Sequence, residues 1–399
     1  MAGWTTKPLG EICSITRGGS PRPIQAFLTS ESDGINWVKI SDATASGKYI
    51  YETAEKIKPS GVARSRIVKD GDFLLSNSMS FGRPYIMRTT GCVHDGWLVL
   101  SEYQESFNQD LLYHLLGSPQ VFSQFDRLAA GSTVRNLNIE LASKVIVPIP
   151  TLEEQRRIVT LLDEAFADIA TAKANAEKNL HNARELLDSH IQSVFTDKSQ
   201  KWPDRLLGDV FDIGSSKRIY EADWTTQGVP FFGGKEIVKL AKFGSVESAS
   251  FISEDKYQEY ASKYEMPKVG DILMTARGTI GVGYIVQQGD KFYYKDGNVI
   301  SLRAKTPSNP QFVLFAFKTN AILDQLTLLV GTTVSHLPIE KAKMLKICLP
   351  DLAEQNFVVD HLETVERHSK KLESIYRQKL TALDDLKKSL LHQAFSGQL

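Results

Sequence analysis

The chain has 399 residues, 42% of them apolar, and carries 47 basic and 47 acidic side chains, so its formal net charge is zero. This balance excludes a uniformly basic surface that binds nucleic acid without regard to sequence, and it confines any DNA contact to local basic clefts or to partner subunits. Three scattered cysteines without metal-ligand spacing are typical of reduced thiols in a cytosolic protein, and no apolar run approaches the ~20 residues of a membrane helix.

In chain order, the sequence predicts a mixed α and β module at 1–150, a long helix at 151–197, a second mixed module at 198–350 and a second long helix at 351–399. Within the modules, short apolar runs between glycine-rich turns predict strands, and stretches with apolar residues three or four apart predict shorter helices. The predicted strands lie at 35–40, 73–75, 97–100, 145–149, 272–274, 299–302 and 344–349, and the shorter helices at 109–128 and 309–328.

The two modules are copies of each other, offset by about 200 residues. A repeat of this length exceeds the unit of a solenoid, so it predicts two copies of one module in a single chain. Two diverged copies suit a target that itself has two unlike halves. The recurring segments begin at Trp4 and Trp202, at Gly71 and Gly270, at Gly131 and Gly331, and at Pro150 and Pro350.

The long helices are predicted from two stretches, 151–196 and 351–396, that lack both glycine and proline. Their apolar residues are spaced as in a coiled coil, and about 45 residues at ~1.5 Å each give a rod of roughly 65–70 Å. Because a rod with one apolar face is unstable alone, we expect the two helices to pair antiparallel, with a module near each end. The polar residue Ser369 would help to fix the register, and the chain terminus would lie beside Trp4.

Motifs of catalysis and cofactor binding are missing. There is no proline pair, hence no amino-methyltransferase motif, and there is no phosphate-binding loop, because Gly234 stands where its lysine is required. The eight histidines form no cluster with metal-ligand spacing. The segment 254–256 is a surface charge cluster rather than a nuclease motif, and Gly281-Val282-Gly283 alone is a weak dinucleotide signal. The sequence therefore predicts a chain without a metal, a cofactor or a catalytic residue of its own.

Loops that combine glycine, hydroxyl and basic residues recur at matching positions in both modules. Such loops can hold backbone N–H groups and short donors against phosphate, with arginine or lysine left to contact bases. The alternative is that both copies kept a structural turn, which fits the glycines best and the arginines and lysines least. The candidate DNA-binding residues are Arg17, Ser20, Arg22, Ser76, Asn77, Ser78, Arg83, Ser132, Thr133 and Arg135 in the first module, and Lys217, Arg218, Lys235, Thr275, Arg277, Thr279, Thr332, Thr333, Ser335 and His336 in the second.

Two further features of the modules have a structural interpretation. The Asp-Gly pairs at 95–96 and 296–297 occupy corresponding positions and predict hairpin turns. Most of the aromatic residues are expected to pack in the core rather than to face nucleic acid. These aromatic residues are Trp37, Trp97, Trp224, Phe231, Phe232, Tyr293 and Tyr294.

In the order of these motifs the chain resembles a specificity subunit of a type I restriction–modification system, over essentially its whole length. Each motif alone is weak, but their order, repeated twice, is highly specific. The motifs are Trp-x4-Leu-Gly at both module starts, Gly270-Asp271 followed by Arg277-Gly278-Thr279, Gly-Ser/Thr-Thr-Val in both copies, Pro-x-Leu-x-Glu-Gln at 150–155 and 350–355, and Gln-Ala-Phe-Ser-Gly at 393–397.

The resemblance implies an α/β (α+β) fold with two similar target-recognition domains separated by two long antiparallel coiled-coil helices. Each domain would recognise one half of a bipartite double-stranded DNA target, while the helices set the spacing and dock the modification subunits. The chain would be non-catalytic and cytoplasmic. Its expected partners are two modification subunits, which bind S-adenosylmethionine and methylate adenine, and two translocating restriction subunits, which use ATP and Mg.

The first module departs from the family pattern at one loop, where Ser76-Asn77-Ser78 stands in place of Thr275-Ala276-Arg277. Domains that recognise different sequences are expected to differ there, so the loop need not have the same role in both. Two alternatives stay open at this point. One is the specificity subunit of a related bifunctional restriction enzyme, and the other is a coiled-coil scaffold that does not bind DNA.

Overall fold

The computed structural model describes residues 4–77, 81–129, 137–199, 201–330 and 336–399. Contacts divide the chain into two units, Met1–Glu177 with Gln378–Leu399, and Lys178–Arg377. Each unit therefore contains one mixed α and β module together with part of each long helix.

The described residues of the first unit form three sheets. One has the strand order β2-β11-β8-β9-β5, another has the order β3-β6-β4-β10-β7, and β1 pairs with β12. The strands are β1 (Thr5–Pro8), β2 (Ser14–Arg17), β3 (Leu28–Thr29), β4 (Ile35–Val38), β5 (Tyr49–Ile50), β6 (Glu55–Ile57), β7 (Arg66–Val68), β8 (Phe73–Ser76), β9 (Pro84–Met87), β10 (Gly91–Val93), β11 (Trp97–Ser101) and β12 (Ile146–Ile149). The helices are α1 (Ile40–Ser46), α2 (Gln109–Leu116), α3 (Pro119–Ala129), α4 (Ile139–Ser143) and the first part of α5 (Leu152–Ser199).

The described residues of the second unit also form three sheets, with the orders β14-β21-β18-β19, β15-β17-β16-β20 and β13-β22. The strands are β13 (Asp204–Leu206), β14 (Phe211–Gly214), β15 (Trp224–Thr225), β16 (Val229–Phe232), β17 (Phe251–Ile252), β18 (Ile272–Thr275), β19 (Gly283–Ile285), β20 (Tyr293–Tyr294), β21 (Val299–Ala304) and β22 (Lys346–Cys348). The helices are α6 (Leu207–Val210), α7 (Gly234–Phe243), α8 (Glu254–Lys263), α9 (Pro310–Ala316), α10 (Asn320–Val330), α11 (Ile339–Lys343) and most of α12 (Leu352–Ser396).

The same four antiparallel strands form the centre of both units, β2-β11-β8-β9 in the first and β14-β21-β18-β19 in the second. Successive side chains of a strand point to opposite faces. In β8, Phe73 and Leu75 pack into one core cluster and Leu74 packs into another. Both faces of this sheet are thus covered, which explains why the strand is a continuous apolar run. The predicted internal repeat and the mixed α/β fold are confirmed.

A buried glutamine fixes the start of each long helix. The Gln155 side chain accepts a hydrogen bond from the Asn108 backbone N–H (2.7 Å) and donates to the carbonyls of Ser106 (2.9 Å) and Pro150 (3.0 Å). In the second unit, Gln355 accepts from the Asn309 N–H (2.9 Å) and donates to the Pro350 carbonyl (2.8 Å). The glutamine of the recurring Pro-x-Leu-x-Glu-Gln motif therefore links the start of a long helix to the residue before α2 in the first unit and before α9 in the second.

Within each unit, the parts of α5 and α12 run antiparallel. In the first unit, Lys173 Nζ lies 2.6 Å from the Asp384 carboxylate, and Arg157 donates to the Leu399 carbonyl at 2.6 Å. In the second unit, Arg184 Nε lies 3.4 Å from the Glu373 carboxylate. Residues Leu162, Ile169, Ala176 and Ala183 of α5 are buried at intervals of seven, as in a coiled coil. The Ser369 hydroxyl is buried and donates to the Ala183 carbonyl.

Several sequence predictions are corrected by local structure. Strand 35–40 ends at Val38, because the Asp42 carboxylate accepts the Lys39 N–H (2.8 Å) and helix α1 begins at Ile40. The helical stretch 109–128 is two helices separated at Gly117 and Ser118, and 309–328 is likewise divided into α9 and α10. The expected meeting of the chain ends is confirmed, since a Cβ at Gly397 would lie 3.9 Å from the Trp4 ring.

Among the described residues, no single helix is long and apolar enough to cross a membrane. Helix α9 and residues 320–329 reach that composition only together, across a 72° bend. Many of their apolar side chains, such as Phe312, Phe315 and Leu326, are buried in the core of the second unit.

Candidate nucleic-acid interface

Three loops of the first unit meet at one end of the β2-β11-β8 sheet. Strands β2 and β8 both run antiparallel to β11, so the loops that follow β2 and β8 lie beside the Asp95-Gly96 turn that precedes β11. This turn was predicted to form a hairpin, but its flanking strands β10 and β11 belong to different sheets. The turn connects two sheets and not two paired strands.

Asp95 joins the three loops. Its carboxylate accepts a hydrogen bond from Ser20 Oγ (2.8 Å) and lies 3.5 Å from the Arg22 guanidinium. Its backbone carbonyl accepts from Arg17 Nε (3.0 Å) and from Asn77 Nδ2 (2.9 Å). The hydrogen bond from Ser20 lowers the pKa of Asp95 below its ordinary value, so the carboxylate is ionised at neutral pH.

Asp296 occupies the corresponding place in the second unit. Its carboxylate accepts from Arg218 Nε at 2.8 Å, and this contact raises the pKa of Arg218. The loop after β18 joins the same turn, because the Ala276 N–H donates to the Asn298 carbonyl (2.8 Å). The aspartate thus joins the first loop to the turn in both units, through Ser20 and Arg22 in one and through Arg218 in the other.

The segment after the Gly-Ser/Thr-Thr-Val loop reaches the same place in both units. In the second unit, Arg277 pairs through its backbone with His336, and His336 Nδ1 donates to the Ala276 carbonyl at 3.2 Å. In the first unit, the Leu137 N–H donates to the Asn77 carbonyl (3.0 Å). Each unit therefore gathers residues that are far apart in sequence around one aspartate, and we call this arrangement the aspartate junction.

Two tyrosine hydroxyls hold the first basic loop of the second unit. The Tyr293 hydroxyl donates to the Lys217 carbonyl (2.9 Å), and the Tyr260 hydroxyl donates to the Arg218 carbonyl (3.2 Å). Burial raises the pKa of Tyr293, so its hydroxyl stays protonated. These contacts fix the backbone of two candidate DNA-binding residues. Tyr293 was predicted to be core, which its burial confirms, but the use of its hydroxyl could not be read from spacing.

The sequence analysis also missed a cation–π contact. Lys295 Nζ lies 4.9 Å from the centre of the Trp224 ring, beside the junction of the second unit. Nearby, the backbone at Gly234 approaches Arg277: a Cβ there would lie 3.5 Å from the Arg277 carbonyl oxygen. The exposed Lys235 at the start of α7 therefore lies close to Arg277.

The candidate residues differ in exposure. Arg17, Arg22, Arg83, Lys217, Arg218, Lys235, Arg277 and Thr279 are exposed, and Ser20 and His336 are half-buried. Ser76 and Thr275 are buried, and their hydroxyls accept the backbone N–H groups of Arg83 (3.2 Å) and Val282 (3.1 Å). Buried hydroxyls that hold a turn are poorly placed to contact DNA, so we omit these two from the proposed contacts below. Asn77 is 2% exposed and serves the junction.

Seven candidates lie outside the described residues, in the segments 78–80, 130–136 and 331–335. They are Ser78, Ser132, Thr133, Arg135, Thr332, Thr333 and Ser335.

Each junction borders a cavity, and the two cavities have different linings. In the first unit the cavity measures about 1030 Å³, and its lining includes the apolar side chains of Ile24, Trp37 and Ile40. In the second unit it measures about 500 Å³, and its lining includes Arg218, Trp224, Arg277, Lys295 and His336. The shared frame therefore presents two chemically different surfaces.

The described part of the chain contains no group of three or more His, Cys, Asp or Glu side chains that could hold a metal ion. The free cysteines are poor nucleophiles, because burial raises the pKa of Cys13 to about 12 and that of Cys348 to about 11. The junctions can form hydrogen bonds and ion pairs, which suits recognition.

The sequence matches the family described as the type I restriction modification DNA specificity domain, at residues 1–179 and again at 199–382. A curated relative, the EcoBI type I restriction enzyme specificity subunit of Escherichia coli, is 21% identical over 431 residues. That match covers 99% of this chain and 86% of the relative.

Solved structures show the same fold. A chain from a structural study of complex assembly and conformational transition in the type I restriction–modification system has a TM-score of 0.78 at 19% identity, covering 100% of this chain and 99% of the other. The HsdS subunit from Thermoanaerobacter tengcongensis has a TM-score of 0.67 at 20% identity, covering 100% and 98%.

Proposed function

The chain belongs to the type I restriction–modification DNA specificity family and is a specificity subunit, and from this membership we propose that residues 1–150 and 198–350 are two target-recognition domains. Each domain recognises one half of a bipartite double-stranded DNA target through its aspartate junction. The observation that supports this is the recurrence of one junction, at Asp95 and at Asp296, with a different set of exposed side chains around each.

In the second domain, we propose that Arg277 and Arg218 contact bases. Arginine donates two parallel hydrogen bonds to O6 and N7 of guanine in the major groove, which makes it the commonest base-specific contact. Lys217 and Lys235 contact phosphates, because a flexible ammonium at the rim of such a cleft positions the duplex without selecting a base. In the first domain, Arg17, Arg22 and Arg83 contact phosphates around an apolar cavity.

The partners and the spacing follow from the same proposal. Residues 151–197 and 351–399 form the spacer, which fixes the distance between half-sites and docks two modification subunits. Those subunits supply S-adenosylmethionine and the adenine methylation, and two restriction subunits supply the ATP- and Mg-dependent steps. The chain itself takes no cofactor, and it acts in the cytoplasm, where its DNA and partners are found. Since its net charge is zero, partner subunits supply much of the phosphate contact.

The experiment is reconstitution of the chain with its modification partner, followed by sequencing of methylated adenines in the host genome. We expect methylation at one split sequence, specific binding of that sequence by the complex, and weak binding by the chain alone. Methylation or cleavage by the lone chain would contradict the proposal. A complex that binds all sequences equally would instead favour a scaffold.

A further inference from the structure

The cavity of the first unit combines an apolar wall with a histidine donor, and the Ser41 hydroxyl also lines it. Its wall is formed by Pro21, Ile24, Trp37, Ile40 and Ala45. Two charged groups at its edge, Lys39 and Asp95, pair within the protein, whereas the Arg22 side chain is 80% exposed. Lys39 Nζ lies 2.7 Å from the Glu55 carboxylate, and Asp95 is bound by Ser20 and Arg22.

The donor is His94, which lines the cavity and whose ring centre lies 6.2 Å from that of Trp37 in the wall. The Gly96 backbone N–H donates to His94 Nδ1 at 2.9 Å, so Nδ1 carries no proton and the ring hydrogen is on Nε2. Burial lowers the pKa of His94, so the neutral ring with this tautomer is the form present near pH 7. In the described part of the chain, Nε2 has no hydrogen-bond partner.

An apolar wall beside a neutral histidine donor fits a base edge that presents a methyl group next to an acceptor. In the major groove, thymine presents its C5-methyl group and the O4 acceptor, whereas guanine presents two acceptors, cytosine a donor, and adenine an acceptor and a donor. Resting on the proposed function, we infer that this cavity binds the major-groove edge of a thymine, with the methyl group against Ile24 and Ile40 and O4 accepting from His94 Nε2. The lining of the corresponding cavity in the second unit includes Arg218, Arg277 and Lys295.

Replacing thymine by uracil removes only the methyl group and therefore tests the apolar wall. The reconstituted complex is assayed on its own target, with each thymine of each half-site replaced in turn by uracil. One position in the half-site of the first domain should bind about fourfold more weakly, which is the value of one buried methyl group at ~0.8 kcal/mol. Replacing a thymine by uracil in the other half-site should leave binding unchanged. If every uracil in the first half-site is neutral while the target is still bound specifically, the inference is wrong. If no sequence is bound specifically, the proposed function fails instead.

His94→Asn tests the donor separately. The asparagine side-chain oxygen can still accept the Gly96 backbone N–H, which preserves the turn, but no group replaces Nε2. We expect target binding to fall about fivefold to tenfold, as for loss of a hydrogen bond worth ~1–1.5 kcal/mol. Ala45→Leu should fill the cavity and weaken the same half-site, whereas Ser46→Leu, on the same helix outside the cavity, should not. Unchanged binding by His94→Asn and Ala45→Leu would overturn the inference.

Discussion

The cavities beside Asp95 and Asp296 differ far more than the frames that hold them. The frames share four central strands, the aspartate at one turn and the glutamine at the start of each long helix. The lining in the first unit includes Ile24, Trp37, Ile40 and His94, whereas that in the second includes Arg218, Arg277 and Lys295. The aspartate and the glutamine are repeated, and residues that face the cavity have diverged. A duplicated protein can thus change the sequence it recognises without disturbing its fold.

The largest expected effect tests the shared frame. Gln155→Leu leaves the Asn108 N–H and the Ser106 carbonyl buried without a partner, and Gln355→Leu does the same to the Asn309 N–H. Each unpaired group costs about 1–3 kcal/mol, so we expect Gln155→Leu to lose about 3 kcal/mol of unfolding free energy and Gln355→Leu somewhat less. Urea denaturation and hydrogen exchange at α2 and α9 measure this loss.

The exposed Glu153→Leu on the same turn of α5 is the matched control and should be nearly neutral. A large loss from Gln155→Leu without one from Gln355→Leu would mean that the frame is not equivalent in the two units.

The next effect tests the divergence of the cavities. Arg277→Ala should weaken binding by about 1–3 kcal/mol through one guanine of one half-site, and replacing that guanine by 7-deazaguanine should have little further effect on the variant. Lys235→Ala, next to Gly234, should weaken binding to all sequences alike and reduce the salt dependence of binding by about one phosphate contact. Equal loss over both half-sites by Arg277→Ala would show that Arg277 contacts phosphate instead.

A smaller effect is expected from the aspartates themselves. Asp296→Asn removes the charge that holds Arg218, and Asp95→Asn removes the acceptor charge for Ser20 and Arg22. Because the Asp296 side chain is 18% exposed and that of Asp95 is 45% exposed, the loss of sequence discrimination should be greater at Asp296. Competition binding between target and non-target DNA measures it, and a larger loss at Asp95 would contradict the argument.

The pKa of Asp95 gives the pH range of its contribution. Its folded-state pKa is lowered from 3.8, so the stabilisation is fully present above the unfolded value and is lost as pH falls through the folded value. Titration of Asp95 should therefore not change, between pH 5 and pH 8, how well the first domain discriminates its half-site from other sequences.

The sequence predicted the frame better than the site. Long helices without glycine or proline, and strands that are apolar on both faces, depend on local patterns, so they could be located from composition and spacing. The turn at Asp95 was also located, but its partner loops could not be. Which loop meets which turn depends on the order β2-β11-β8, and one sequence without an alignment does not specify strand order.

Burial explains the remaining differences between predicted and observed site residues. Ser76 and Thr275 have the composition of phosphate-binding residues, but their hydroxyls turn inward to hold their own loops. His94, Lys295 and Tyr260 were missed because each acts through a contact with residues distant in sequence or through a tautomer fixed by the backbone. Composition identified loops with the right chemistry, and only the fold assigned a role to each side chain.

The smallest effect concerns the helix pair. Ser369 is a buried polar residue on α12 in the second unit, where its hydroxyl donates to the Ala183 carbonyl, whereas α5 in the first unit buries Ile169 and Ala176 at the corresponding spacing. Since that carbonyl lies within a helix, losing the hydroxyl should cost at most ~0.5–1 kcal/mol, so Ser369→Ala should unfold almost as wild type does. Ser369→Leu should be worse, because a bulky side chain opposite Ala183 must displace the helix. If Ser369→Leu is instead stabilising, the contact between α5 and α12 is loosely packed there, and the serine is not needed for the pairing register.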